Sequence, residues 1–558
     1  MAEMKTDQSM SIGMLTITDI EHSRNLRKTN DDMALQRVGK TPVLKRKFGF
    51  MAILGFCCLV LSTWLGPFIT LGIGLTNGGP AGLVYSFIIV WIGNLLTFAC
   101  LAELASMAPT AGGQYHWVSI LAPKSIFKGY SYVTGWITVT GWLTGVASSA
   151  YVTGTLIQGF IEVVNPSYSP QLWHASLLMY ATLAFAVFCT TTIGTFLPKM
   201  EIGLLVLYII GFFAVLVPLV YLGPHGDAYS VFGTFANNGG WSSLGLSFFV
   251  GISGNAFTFL GADAIYHMSE EVHDAAVVVP KSMIWCIIVN GVVGLSSYLA
   301  ILFCAGDLQA ALESRFIYAF IEILEQALHS TAGTAIILVI FILVDVGLVV
   351  GVMATCSRMV WSFARDRGVP GWRRLSKVIA NESDHRRLLL TLTKVNSITA
   401  IPTASILVSA IISVLIGLIT IGSSVGFNAV ISLTVSSLYG SYFMACVLLL
   451  YRRLQGSIIA PSDSQFDGQD NLPGSAGKLV WGPWRIPEPL GTIINAVACI
   501  YLVVVFIFSL FPPATPVTAV TMNYSVVVLG GVAVLSGVYY VFWAHKTFKG
   551  PVIEASFH

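Results

Sequence analysis

Residues Phe257 to Pro280 read FTFLGADAIYHMSEEVHDAAVVVP, and this stretch decides the fold. It closes an apolar segment that carries no charge from Ala228 to Ala262, is interrupted by Gly261 and Asp263, and resumes as a helix that meets acidic residues only later. In a bilayer every backbone N–H and C=O must be satisfied internally, so an unwound turn survives only where protein or a cavity surrounds it. A carboxylate at mid-span costs about 2.5–3.5 kcal/mol on insertion scales and must face a partner, water or a solute. The plainer alternatives are an Asp263 bonded to a neighbouring helix, or one capping the resumed half-helix Ala264 to Met268.

The chain around it is built for lipid. Of 558 residues 55% are hydrophobic and 10% charged, with mean hydropathy +0.78, against about 25% charged in soluble domains. The long charge-free runs are Phe48 to Ala102, Gly129 to Ile161, Val163 to Pro198, Val395 to Tyr451 and Pro489 to Ala544. At about 20 residues per helical crossing, each holds one or two spans. The expectation is an all-α polytopic membrane protein with twelve transmembrane helices. They run at 49–75, 81–105, 130–162, 174–197, 202–223, 242–268, 281–304, 333–362, 399–421, 424–451, 489–511 and 523–544, and are called spans 1 to 12 in that order. With the N-terminus in the cytoplasm, 28 of the 29 Lys and Arg fall on that side and Arg315 alone falls outside, so orientation and even count support each other.

Residues 1–47, polar and rich in Lys, Asp, Ser and Thr, are expected to form a cytoplasmic tail, disordered or loosely structured at the membrane surface, with no cleavable signal peptide. The loop 452–488 is expected to be flexible and cytoplasmic, 489–545 to hold two peripheral helices, and 546–558 to form a second cytoplasmic tail. Arg365 to Lys394 reads as a basic inner loop. On the outer side, Asp307 to Ala332 carries Leu308, Leu312, Ile317 and Phe320 at near-helical spacing, which suits an amphipathic helix along the interface. The nine cysteines lie in apolar sequence without metal spacing and read as core fillers. No metal, cofactor or nucleic-acid partner is expected. A membrane enzyme finds no support in a nucleophile–base pair, metal cluster or phosphate loop.

Span 1 has its own break at Ser62-Thr63-Trp64-Leu65-Gly66-Pro67, where a glycine and a helix-breaking proline stand in mid-run. Two interrupted spans in corresponding positions of two halves point to a transporter site. Span 1 opens the unit 48–223 and span 6 opens the unit 242–451. Five spans is an odd number, so the second unit enters from the opposite side and the repeats are inverted. Half-helix N-termini then favour an anionic group and freed carbonyls a cation. Two ordinary kinks are the simpler reading.

At these residues the chain resembles the amino acid-polyamine-organocation superfamily, in its fungal branch of amino acid, GABA and choline permeases. The resemblance covers about residues 48 to 545. It is carried by GLTNGGPAGLVYSF (Gly74 to Phe87), ELASMAPTAGGQYHW (Glu103 to Trp117), FLGADAIYHMSEEV (Phe259 to Val272), SRMVWSFARDRGVP (Ser357 to Pro370) and FPPATPVTAVTMNYS (Phe511 to Ser525).

The resemblance implies a LeuT-like five-plus-five inverted repeat with two additional C-terminal helices. That bundle would move a small amine or amino acid by alternating access, usually with protons. By position it places Thr63, Trp64, Leu65 and Gly66 in the unwound part of span 1, and Phe259, Gly261, Ala262 and Asp263 in that of span 6. Phe257 takes the place of an aromatic gate, and Asp263 an acidic position that senses protons in some relatives. The chain departs from the pattern in lacking glycine-serine-glycine at the first break, in having no lysine within span 5, and in carrying Asp345 in the middle of span 8.

Four side-chain questions follow. Trp64 either stacks on a quaternary ammonium, worth about 2 kcal/mol or more when desolvated, or simply packs. Asp345 is either a counter-charge for substrate or proton, or a partner for a hydroxyl. His267, four residues after Asp263 and on the same helical face, either relays its proton or is hydrogen-bonded in the bundle. Glu103, Glu270, Glu271 and Asp274 are expected in gate or anchoring salt bridges, near Lys281 and the basic loop, and Gly112 and Gly113 in a tight turn. The resulting expectation is a secondary active transporter, a proton symporter of a small nitrogenous solute, with choline or a related amine slightly favoured. An amino acid or GABA permease is the alternative, and a non-transporting nutrient receptor a more distant one. The expected location is the plasma membrane with both termini cytoplasmic; the sequence leaves the oligomeric state open.

Overall fold

The computed structural model describes residues 31–192, 194, 196–377, 401–422, 424–460, 471–474, 479–519 and 521–554. It is all-α apart from a two-residue parallel pairing of Ile458–Ile459 with Leu479–Val480. Span 1 is Phe50–Leu61 continued by Gly66–Ile69 and Leu71–Thr76, and span 6 is Leu244–Thr258 followed by Ala264–His267. The others are Gly79–Met107, Phe127–Val164, Leu172–Thr192, Leu197–Leu222, Ala275–Phe303, Thr331–Arg365, Thr403–Gly422, Ser424–Leu454, Leu490–Ser509 and Ser525–Tyr539. Among the described residues nine helices are long and apolar enough to cross a membrane, and Leu244–Thr258 and Thr403–Ile419 are shorter apolar ones. Span 3, 38 residues long, is rich in Gly, Thr and Ser.

Position in the bundle follows from what each helix can bury. The most apolar stretch of span 1 is 83% buried and that of span 12 only 11%, so span 1 is central and span 12 peripheral. Span 1 packs on spans 5, 7 and 8, and span 3 on spans 8 and 10. Span 5 turns Ile202, Val206, Ile209, Phe213 and Val217 outward, as lipid requires. Span 7 begins at Ala275, before the expected 281, and runs through Pro280. Proline there leaves the Ala276 carbonyl without its helical donor. Ser106 Oγ donates to that carbonyl at 2.7 Å.

Residues 31–47 differ from the disordered or loosely structured tail expected of the first 47. They fold onto the face of the bundle that also carries residues 551–554, called the termini face, because their charges find partners far along the chain. Asp31 accepts from the Asp274 and Ala275 backbone N–H groups at the start of span 7, and buried Lys40 pairs with Asp366. Glu554 of the C-terminal segment joins them by pairing with Arg365. Burial raises the Glu554 carboxyl, but Arg365 and Lys40 outweigh it and hold the group below the usual carboxylate range. Residues 1–30 and 378–400, with most of the basic loop, lie outside the described residues. On the opposite face Leu308–Leu312 and Ala319–Leu328 are helical, near the expected amphipathic positions.

Candidate functional site

The first break begins where Ser62 turns left-handed, with φ 38°, and ends the half-helix Phe50–Leu61. Its backbone is tied down from neighbouring spans. Thr63 N–H donates to Asn290 Oδ1 at 3.1 Å, Tyr208 O–H donates to the same oxygen at 2.9 Å, and Thr63 Oγ1 donates to the Thr258 carbonyl at 3.1 Å. Helix resumes at Gly66-Pro67, where proline in the first turn lacks an N–H that would have no helical acceptor. A Cβ on Gly66 would stand 2.3 Å from Thr258 Cγ2, so the two broken spans touch at this glycine.

The second break turns on Gly261, with φ +116°, where a Cβ would come within 2.8 Å of Val60 Cγ1. Between the breaks lies a cavity. Spans 1 and 6 line it with Ser62, Leu65, Gly66, Thr70, Phe257, Thr258 and Gly261; span 3 adds Trp142, Ser148 and Ser149, span 8 adds Asp345, and span 10 adds Thr434. Of the lining side chains, among the described residues, Asp345 alone is ionisable. It accepts from Thr153 Oγ1 at 2.6 Å.

The wall's hydroxyl hydrogens are already directed into the protein. Ser62 donates to Leu59 O, Thr70 to Gly66 O at 2.9 Å, Ser148 and Ser149 to Gly145 O at 3.1 and 2.9 Å, and Thr258 to Asn255 O at 2.8 Å. Thr434 reaches Val430 O and Thr144 Oγ1, each at 2.9 Å. A hydroxyl that has given its one hydrogen to its own helix keeps its lone pairs as acceptors. The polar part of this wall is therefore a set of acceptors around one carboxylate.

Asp263 is separate from that wall. It is fully buried, and neither carboxylate oxygen completes a hydrogen bond among the described residues. Tyr442, Trp142 and Gln114 are the side chains turned toward it. His267 Nε2 stands 3.8 Å from Oδ2, and its Nδ1 bonds the Ala111 carbonyl at 2.8 Å. A carbonyl can only accept, so Nδ1 carries the hydrogen and Nε2 of the neutral ring faces the carboxyl as a second acceptor.

Of the residues expected at the substrate, the structure brings Leu65, Gly66, Phe257 and Gly261 to the cavity, together with Asp345. It does not bring Thr63, Trp64, Phe259, Ala262 or Asp263 there. Thr63 is tied to span 7, and Phe259 packs on Phe87 at 5.1 Å. The Ala262 carbonyl meets Cys57 Sγ at 3.8 Å. Trp64 is buried edge-on among Tyr208, Phe212 and Phe341, with centroids at 6.0, 6.1 and 5.5 Å, because the break rotates it toward spans 5 and 8. The aromatic that reaches the cavity from outside the breaks is Trp142, which the sequence reading missed. Its signal was the run GWLTGVASSAY, where small residues leave one face of span 3 open.

Three of the acidic residues expected in gate or anchoring bridges are paired with arginines. Glu103 pairs with Arg453, Glu270 with Arg365 at 3.2 Å, and Glu271 with Arg358 at 2.8 Å. Lys281, expected among these partners, is in none of these pairs. Asp274 instead caps nothing and offers its N–H to Asp31. Gly113, with φ 55°, forms the expected turn, where a Cβ would press on the Tyr266 ring at 2.6 Å.

A helical bundle with two spans interrupted at mid-course around a cavity defines an all-α integral membrane protein of the permease type. The sequence profile of the amino acid permease family matches residues 52–533, and the chain belongs to that family. Among relatives, a choline transporter of Saccharomyces cerevisiae is 28% identical over 556 residues, covering 98% of this chain and 90% of that protein. A swainsonine transporter of Arthroderma benhamiae is 26% identical over 510 residues, covering 90% and 92%. A GABA-specific permease of Saccharomyces cerevisiae is 25% identical over 543 residues, covering 95% and 87%.

Proposed function

We propose that this permease is a proton symporter that imports choline or a related small amine by alternating access, with both termini in the cytoplasm and the plasma membrane as its site. The observation that carries the substrate class is the cavity wall: one carboxylate, two aromatic side chains and hydroxyls that present lone pairs. Such a wall suits a cation. Asp345 supplies the counter-charge, Trp142 and Phe257 offer ring faces to a quaternary ammonium, and the oxygens complement its polarised methyl groups. The similarity to a choline transporter over nearly the whole chain points the same way.

Coupling is assigned to Asp263. It lies off the cavity wall, completes no hydrogen bond among the described residues, and faces the His267 lone pair, so a proton is its natural occupant. Orientation rests on the basic residues, 28 of 29 of which the expected topology puts on the termini side. GABA or another amino acid is the competing substrate. Its carboxylate would need donors, and the side-chain hydroxyls here are committed elsewhere.

The test is uptake of radiolabelled choline into vesicles reconstituted with the protein, competed with carnitine, GABA and basic amino acids. Choline is expected to win. Asp345→Asn should weaken choline at least about tenfold, the equivalent of about 1.4 kcal/mol. Choline affinity unchanged in this variant would remove Asp345 from the substrate, and GABA outcompeting choline would decide for the amino acid. Binding without uptake would mark a receptor.

A further inference from the structure

The coupling scheme above leaves one buried acid without a task. Glu201, in the first turns of span 5, is fully buried, and among the described residues neither carboxylate oxygen has a hydrogen-bond partner. Its cover is the first half of span 1. A Cβ on Gly55 would stand 3.2 Å from the Leu205 side chain and 3.5 Å from the Glu201 carbonyl oxygen, so Phe50–Leu61 rests on this turn of span 5 at close range. That half-helix ends at the left-handed Ser62, and residues 62–65 beyond it are not helical, which makes it a rigid piece on a joint.

Among the described residues, the titratable groups of the surrounding elements are turned elsewhere. Lys199 lies over the Phe196 ring at 5.9 Å, and Tyr208 gives its hydrogen to Asn290. On the half-helix Cys57 meets the Ala262 carbonyl and Cys58 faces Cys286. Lys47, just before it, leans toward Glu271. On span 8 Asp345 is taken by Thr153 and Arg358 by Glu271. On Ala319–Leu328, Glu322 accepts from Gln326 and Glu325 from Thr331. A carboxylate with neither water nor counter-ion is strongly disfavoured, whereas the neutral acid is tolerated.

We propose that Glu201 is a proton latch: the half-helix Phe50–Leu61 seals onto span 5 only when this carboxyl is protonated, and lifting the half-helix lets water reach it and take the proton. The O–H bond forms with a proton from the solution on the termini face as the seal closes, and the proton returns to that solution as it opens. The latch therefore leaves the transport stoichiometry unchanged and sets a rate. It needs no coupling through Asp263 and stands or falls separately from it.

The experiment is choline exchange at equal concentrations across vesicles holding the full chain, with pH varied only on the termini face between about 6 and 9. Wild-type exchange is expected to fall as that pH rises, steepening toward about tenfold per unit once the protonated acid becomes scarce. With exchange also followed in the Asp263→Asn background, where the coupling proton no longer contributes, adding Glu201→Gln should make the profile flat. Glu201→Leu, which suits an apolar setting and cannot ionise, should do the same and serves if the glutamine variant folds poorly. A second measurement needs no substrate: the ratio of wild-type to Glu201→Gln labelling rates at Cys57 and Cys58, with a maleimide added on the termini face, should rise with pH. A flat wild-type profile, a slope kept by both variants, a constant labelling ratio, or variants that bind choline but exchange at no pH would each overturn the latch.

Discussion

The two breaks interrupt equivalent spans and differ in what holds them. In span 1 the freed Thr63 N–H and hydroxyl both find acceptors, Asn290 Oδ1 and Thr258 O. In span 6 the chain turns on a glycine and places Asp263 beside His267 and Tyr442 with both oxygens unanswered. Buried polar groups are normally satisfied, and the exceptions ask for a role. The two breaks thus share a geometry without sharing its chemistry: one is held by acceptors on other helices, the other leaves a buried carboxyl without a completed bond.

The largest expected effect tests that asymmetry at its charged end. Asp263→Asn removes the titratable group and keeps its shape, so accumulation driven by a pH gradient should vanish while exchange of substrate at equal concentrations continues. Uptake that remains concentrative in this variant, measured in vesicles with an imposed gradient, would move the coupling site elsewhere. Next comes the joint. Asn290→Ala strips the acceptor from both Thr63 N–H and Tyr208 O–H, at a cost of about 1–3 kcal/mol for groups left buried without a partner. Its thermal unfolding midpoint in detergent should fall while the dependence of uptake on the gradient persists. Loss of coupling as complete as in Asp263→Asn would erase the distinction between the breaks.

Both breaks were legible because the signals are covalent: Gly66-Pro67 and Gly261 are backbone punctuation in runs that otherwise have no reason to stop. Most of the helices were legible because charge-free apolar runs of this length fold as helices able to cross a membrane. Side-chain direction at a break was not, since helical periodicity ends where the helix does, and neither Trp64 nor Thr63 could be assigned a face. Trp142 was hidden for a related reason, as span 3 is too evenly mixed in Thr, Ser and Gly to show a stripe. The folding of residues 31–47 was hidden by distance. Lys40 meets Asp366, 326 residues on, and composition alone carries no record of such a pair.

The smallest expected effect on substrate concerns Trp64, one residue from the joint. A cation–π contact of about 2 kcal/mol would be worth about thirtyfold in affinity, so its presence or absence is easy to read. The indole instead packs edge-on against Tyr208, Phe212 and Phe341 and is fully buried. Trp64→Leu should therefore lower stability by about 3 kcal/mol, as large-to-small changes in a packed core do, and shift choline affinity by less than about twofold. Trp142→Leu should do the reverse, weakening choline more than it weakens the fold, because its ring lines the cavity. A tenfold loss of choline affinity in Trp64→Leu, measured alongside GABA as a control, would mean that the joint rotates this indole into the site during the transport cycle, and the first break would then share in the chemistry assigned here to the second.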